Sequence, residues 1–202
     1  MSLLTLDGVA CRRGNRMLFA GVSLSLEAGE ALWLRGPNGT GKSSLLRMIA
    51  GLLRPAAGRV THAGGIALAD EGLALDTERT LGAALGFWAR IDGADADAVT
   101  RAMDAAGIAR LADVPVRMLS TGQRKRAVLA RVAASGARLW LLDEPGNGLD
   151  DDGLMRLGAL VAAHRAGGGA VLAASHQALP IDAPVMDLAD YVPTISDADD
   201  IW

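Results

Sequence analysis

Ala31-Leu32-Trp33-Leu34-Arg35 runs without a break into Gly36-Pro37-Asn38-Gly39-Thr40-Gly41-Lys42-Ser43-Ser44. The first five residues read as a short buried strand, and the residues after Gly41 open the apolar series of a helix. Between them lies a complete Walker A pattern in its strand-loop-helix setting. Gly36, Gly39 and Gly41 let the backbone turn tightly, so successive amides of the loop converge on an anion with no side chain in the way. The helix that begins near Lys42 aims its unpaired N–H groups and the positive end of its dipole at the same point. Lys42 reaches the β and γ phosphates of a nucleoside triphosphate, and Ser43 offers its hydroxyl to Mg2+. Ser44 reads as a helix-start residue, while Pro37, Asn38 and Thr40 complete the phosphate-binding loop. An ordinary Gly-rich turn ahead of a core helix would not need Lys42-Ser43 at its end.

Outward from this loop, Leu45, Leu46, Met48, Ile49, Leu52 and Leu53 form an apolar helix face that packs on a sheet. Residues 3–6 and 22–26 read as strands, with a turn at Gly29-Glu30. Downstream, the apolar run 137–142 reads as a central parallel strand ending in Asp143-Glu144, where ligands of open α/β sheets bind. Asp143 completes a Mg2+ environment with Ser43, and Glu144 orients and polarises the water that attacks the γ phosphate. Leu119-Ser120-Thr121-Gly122-Gln123 precedes a basic triplet and a helical apolar series. There Ser120 supplies a hydroxyl, Gly122 permits close backbone approach, and the helix presents its N-terminal end to phosphate. A Ser-capped surface helix is the plainer reading of the same residues.

Taken in order, these motifs resemble the ABC ATPase family. The resemblance implies an α/β P-loop NTPase fold of ABC type: a mostly parallel sheet flanked by helices, an antiparallel N-terminal sheet part and an inserted helical subdomain. It implies ATP and Mg2+ as cofactors. It also implies a second ATP-binding subunit, because the family's signature faces nucleotide held by the opposite subunit's Walker A loop. The signature is usually Leu-Ser-Gly-Gly-Gln, and Thr121 departs from it in a way that bears on local loop geometry. Leu149-Asp150 resembles the D-loop; Asp150 connects the two nucleotide sites or caps the next helix, two compatible roles. Residues 170–176 form a strand leading to His176, which matches the H-loop, contacts the γ phosphate and helps hold water and Glu144. For the Q-loop the nearest counterpart is Glu71 in Ala69-Asp70-Glu71-Gly72, or Glu71 is a solvated turn residue. A Glu there accepts from a metal-bound water but lacks the amide donors of Gln. The early loop has no tyrosine to stack on adenine, which leaves Arg12 or Arg13 to cover the base.

The 202 residues suit one domain, 1–202, with a helical subdomain at 72–134 inside it. Within that subdomain, helices are expected at 76–90 and 97–107, and 128–134 continues the signature helix; another helix falls at 154–164 and a last strand at 185–188. Half the residues are hydrophobic, yet no uninterrupted apolar stretch reaches the roughly 20 needed to cross a bilayer. The start does not read as a signal peptide, so the chain is expected in the cytosol. A net charge of −3 argues against a nucleic-acid partner, and Arg12, Arg13 and Arg16 read as solvated surface. Cys11, the one cysteine, excludes an intrachain disulfide and reads as partly buried. His62 and His164 are ordinary turn and helix residues.

Beyond the universal motifs, the chain resembles the small ATP-binding subunits of the cytochrome c biogenesis haem exporters. The matching stretches are Cys11-Arg12-Arg13, Leu18 through Leu24, Asp113 through Ser120, Leu139 through Pro145 and Ser175-His176-Gln177, with the end at Trp202. This implies integral membrane permease subunits of the cytochrome c biogenesis complex as partners. It places the chain peripherally on the cytoplasmic face of the bacterial inner membrane, supporting haem release or export, with no haem pocket on the chain itself. Two other readings stay open: the ATPase subunit of another small-substrate ABC exporter, and a catalytically weak ATP-binding regulatory or assembly module.

Overall fold

The computed structural model describes residues 2–70, 72, 74–95 and 97–193. Glu71, the nearest counterpart of a Q-loop residue, lies outside them.

Two sheets sit against each other. β1 (Ser2–Arg13) and β2 (Arg16–Glu27) make a long antiparallel hairpin, and β4 (Ala57–His62) pairs antiparallel on the other edge of β1, giving the order β2-β1-β4. The second sheet is wholly parallel. Its strands are β3 (Ala31–Arg35), β5 (Ile66–Ala69), β6 (Leu139–Asp143), β7 (Ala170–Ala174) and β8 (Val185–Asp187), in the order β5-β6-β7-β3-β8. Every residue of β6 and β7 is buried, as expected of central strands covered on both faces.

The two-residue period of those strands divides the core. Leu139, Leu141 and Leu172 face a cluster built from α1 (Lys42–Ile49) and the antiparallel sheet, with Leu4, Phe19, Leu34, Leu46 and Ile49. Leu142, Val171 and Ala173 face the opposite layer, formed by α4 (Thr121–Ala134) and α5 (Asp151–Ala166) through Val132, Leu157 and Val161. Each fully buried Leu or Val contributes about 1.5–3 kcal/mol by leaving water. A third cluster lies among α2 (Leu81–Ile91), α3 (Ala98–Ala105) and α4, and includes Leu81, Leu85, Met103, Ile108 and Val116. α4 serves both outer clusters: Ala127 and Ala130 turn toward α2 and α3, whereas Val128 and Val132 turn toward the sheet.

Several local expectations need correction. The helix expected from residue 76 begins only at Leu81, because Asp76 takes the amide of Glu78 into a turn at 3.0 Å and Thr80 becomes the N-cap. Leu52 is 68% exposed and belongs to no apolar face, since α1 stops at Ile49 and the chain turns through Gly51 at φ 75°. Cys11 is completely buried opposite Phe19, and burial pushes its thiol pKa up. His62 ends a strand instead of occupying a turn. His164 lies in α5 as read, with its ring stacked on Trp140. Strands β4 and β5 were not anticipated.

Candidate active site

The loop between β3 and α1 is shaped by what its glycines avoid. Gly41 is the N-cap of α1 at φ 103°, and a Cβ there would stand 2.9 Å from the Phe19 ring. Leu45 N–H donates to Gly41 O at 2.9 Å, which leaves the amides before it without helical partners and directed at the loop. α1 carries no side-chain cap and no acidic residue in its first turn, so its positive end is not neutralised by its own sequence. Lys42 is 6% exposed, and its Nζ donates to Gly36 O at 2.7 Å and Pro37 O at 3.2 Å. An open cavity is lined by Asn38, Gly39, Gly41, Lys42, Ser43 and Ser44, with Leu18 and Glu144 facing them. Leu18 and Phe19 belong to the stretch Leu18 through Leu24 read above for its family resemblance, and the fold adds that they stand against the phosphate loop.

Glu144 enters this cavity from the end of β6. Its backbone is left-handed, at φ 47°, a conformation that costs a residue with a side chain about 1–3 kcal/mol. Its N–H donates to Ala174 O at 2.8 Å, which anchors it to β7. Glu144 Oε1 accepts from the His176 amide at 3.2 Å and lies 2.9 Å from His176 Nδ1. Lys42 Nζ stands 4.0 Å from the same oxygen. The other oxygen, Oε2, is buried and has no hydrogen-bond partner among the described residues. Asp143, 4% exposed, closes the strand just before it. Ser43 lines the cavity and Asp143 ends β6; a hydroxyl and a carboxylate are hard oxygen donors of the class that Mg2+ accepts.

The signature residues lie elsewhere. Ser120 caps α4: its Oγ accepts from Gln123 N–H at 3.3 Å, and Gln123 Oε1 accepts from Ser120 N–H at 2.9 Å, a reciprocal capping box. Thr121 is the first residue of that helix, with no left-handed backbone. The departure from glycine is therefore absorbed by a conformation that any residue adopts. Gly122 is different, since a Cβ there would come within 3.2 Å of Gly148 O. Asp150 caps α5, accepting from Gly153 N–H at 3.0 Å. Arg126 beside it, and then that amide, hold its carboxyl below the usual range. Ser120, Gly122, Gln123, Gly148 and Asp150 share a depression with Arg126, and none of these residues lines the cavity of Lys42 and Glu144. Arg12 and Arg13 end β1 on the exposed tip of the hairpin.

Among the described residues no helix is long and apolar enough to cross a membrane. The model of the ABC transporter family matches residues 19–147. The chain is 64% identical to the cytochrome c biogenesis ATP-binding export protein CcmA of Sphingopyxis alaskensis, over 89% of this chain and 92% of that protein. It is 57% identical to the protein of the same name from Novosphingobium aromaticivorans, over 89% and 91% respectively. Among solved structures, the ATP-binding subunit of an ABC transporter shares the fold at a TM-score of 0.80, with 23% identity over 86% of this chain and 79% of that one. The sheet, the phosphate loop and these relatives agree, and the chain belongs to the ABC transporter family, within its cytochrome c biogenesis ATP-binding export proteins.

Proposed function

We propose that this chain is the MgATP-hydrolysing subunit of a complex that supports haem release or export for cytochrome c maturation. In this reading it works as one of two ATP-binding subunits against integral membrane permease subunits, on the cytoplasmic face of the inner membrane. The names of its relatives supply the pathway; the geometry around Glu144 supplies the chemistry. Residues 72–134 would form the helical subdomain that carries the signature.

The loop 36–44 and the start of α1 hold the phosphates of ATP, with Lys42 exchanging its loop carbonyls for phosphate oxygens. Ser43 and Asp143 are the residues that would hold Mg2+, which neutralises phosphate charge when bound. One oxygen of Glu144 is tied to His176, which fixes the carboxylate, and the other has no bond to lose. That buried, uncommitted Oε2 is the observation that carries the reading, because it can accept a hydrogen bond from the attacking water at little cost in prior contacts. Ser120 and Asp150 act on the nucleotide held by the other subunit.

Glu144→Gln, in the purified membrane complex, tests this directly. The amide keeps the size of the side chain but takes away the carboxylate, so ATP turnover should fall by about 10²–10⁴-fold while nucleotide binding persists. Turnover within a few-fold of the parent would remove Glu144 from the chemistry. A complex that contains no haem-handling membrane protein would move the chain to another exporter.

A further inference from the structure

Arg126 stands on α4, three residues past the capping box, with a side chain only 14% exposed. Both its acidic partners belong to another element. Its Nη2 donates to Asp150 Oδ1, and its Nη1 donates to Asp152 Oδ2 at 2.7 Å. Asp152 Oδ2 also accepts from Arg156 Nε at 2.9 Å, and Asp150 Oδ1 also accepts from the Gly153 amide. One planar guanidinium thus spans two carboxylates at the start of α5, a geometry for which its fork of donors is suited and a lysine is not. The two segments also approach through backbone, where a Cβ on Gly122 would stand 3.2 Å from Gly148 O, a tight contact that glycine avoids.

Stability alone is a poor account of this network. Asp150 is 72% and Asp152 45% exposed, so water screens the carboxylate side of both pairs although the guanidinium is mostly covered, and screened pairs contribute modestly to folding. Asp150 already has a cap to make, and the acidic first turn of α5 already suits the helix dipole. What two bonds from one rigid group do supply is a fixed angle between the elements they join.

We propose that Arg126 is a positioning residue: it ties the turn 148–150 to the signature segment 119–123, so that both meet a second copy of the chain as one surface. The proposal rests on the reading that two copies close around ATP. Without Arg126 each copy keeps its own phosphate loop, but the turn pivots freely about Gly148 and must be ordered when the copies meet, which weakens the association.

The test uses the full-length chain carrying Glu144→Gln, so that ATP is not consumed, and follows ATP-dependent association by sedimentation. Adding Arg126→Gln should weaken association by roughly 2- to 30-fold, while nucleotide affinity of the separate chain and its melting temperature stay near those of the parent. Arg126→Lys keeps the charge but cannot span both carboxylates, and should fall between the two. Unchanged association in Arg126→Gln overturns the proposal, as does a loss matched by equal losses of nucleotide affinity and melting temperature. A parent that never associates, at any ATP concentration, refutes closure of two copies and takes the proposal with it.

Discussion

The cavity of Lys42 and Glu144 and the depression of Ser120 and Asp150 are both built at helix starts, but they are finished differently. In the cavity the charged groups are buried: Lys42, Asp143 and Glu144 are each less than a tenth exposed. They are held by main-chain partners from β7 and the loop itself. In the depression Ser120 and Asp150 are exposed, and the bonds of Ser120 and Gln123 run to each other. Burying a charge requires that its partners be in place, so the first region is assembled by folding this one chain. The second leaves its helix end to solvent, and under the proposed two-copy arrangement phosphate from the other copy completes it.

His176→Ala is the sharpest way to break that contrast and should have a larger effect than a change at Thr121 or His164. The His176 side chain is 40% exposed, yet it holds one oxygen of the mostly buried Glu144 carboxylate. Removing it leaves Glu144 Oε1 with the His176 amide and the distant Lys42 charge, and frees the carboxylate to rotate. Steady-state turnover should fall by about 10²-fold or more, with ATP affinity kept. If turnover survived while a change at Ser120 abolished it, the division into an internally finished half and a shared half would be wrong.

Thr121→Gly tests the other side, and the expected effect is much smaller. The residue starts α4 in ordinary helical geometry, so restoring the usual glycine gains no conformational freedom that the loop needs. It should cost up to about 1 kcal/mol of stability through lower helix propensity, measured by denaturant unfolding. Turnover should stay within about twofold. A large rise in turnover would mean that the threonine side chain blocks closure against a second copy.

The two regions were unequally legible from residue order. The phosphate loop and Asp143-Glu144 announce themselves because the chemistry fixes residue types in short runs, one between β3 and α1 and one at the end of β6. The parallel core followed from continuous apolar runs such as 137–142, since a strand covered on both faces needs no alternation. By contrast β4, Ala-Gly-Arg-Val-Thr-His, is almost wholly exposed and shows no burial pattern to read. The start of α2 depended on an Asp76 turn and a Thr80 cap competing with helix propensity. Arg126 and Asp150 are 24 positions apart, so their bond is a consequence of α4 packing beside α5 and leaves no local signature. The left-handed backbone of Glu144 likewise leaves no local signature, and it occurs where the residue bonds across to Ala174.

Burial of a polar ring is not by itself a sign of function, and His164 provides the check with the smallest expected effect. It stacks on Trp140 with centroids 3.9 Å apart, and its Nε2 lies 3.2 Å from Arg138 O. Burial pushes its pKa down, against the opposing pull of the Arg138 and Ala170 backbone. The neutral ring is therefore the folded form. As pH falls below the ordinary histidine value of about 6.5, the unfolded chain takes up a proton that the folded one resists, so stability declines from there toward the lower folded pKa. His164→Gln keeps a donor for the Arg138 carbonyl and cannot titrate in this range. The variant should show a shallower drop in melting temperature between neutral and mildly acidic pH than the parent, with the same dependence of turnover on ATP. An unchanged slope would place the acid sensitivity in another group, and a loss of turnover would mean that the back of β6 communicates with Asp143 and Glu144 at its tip.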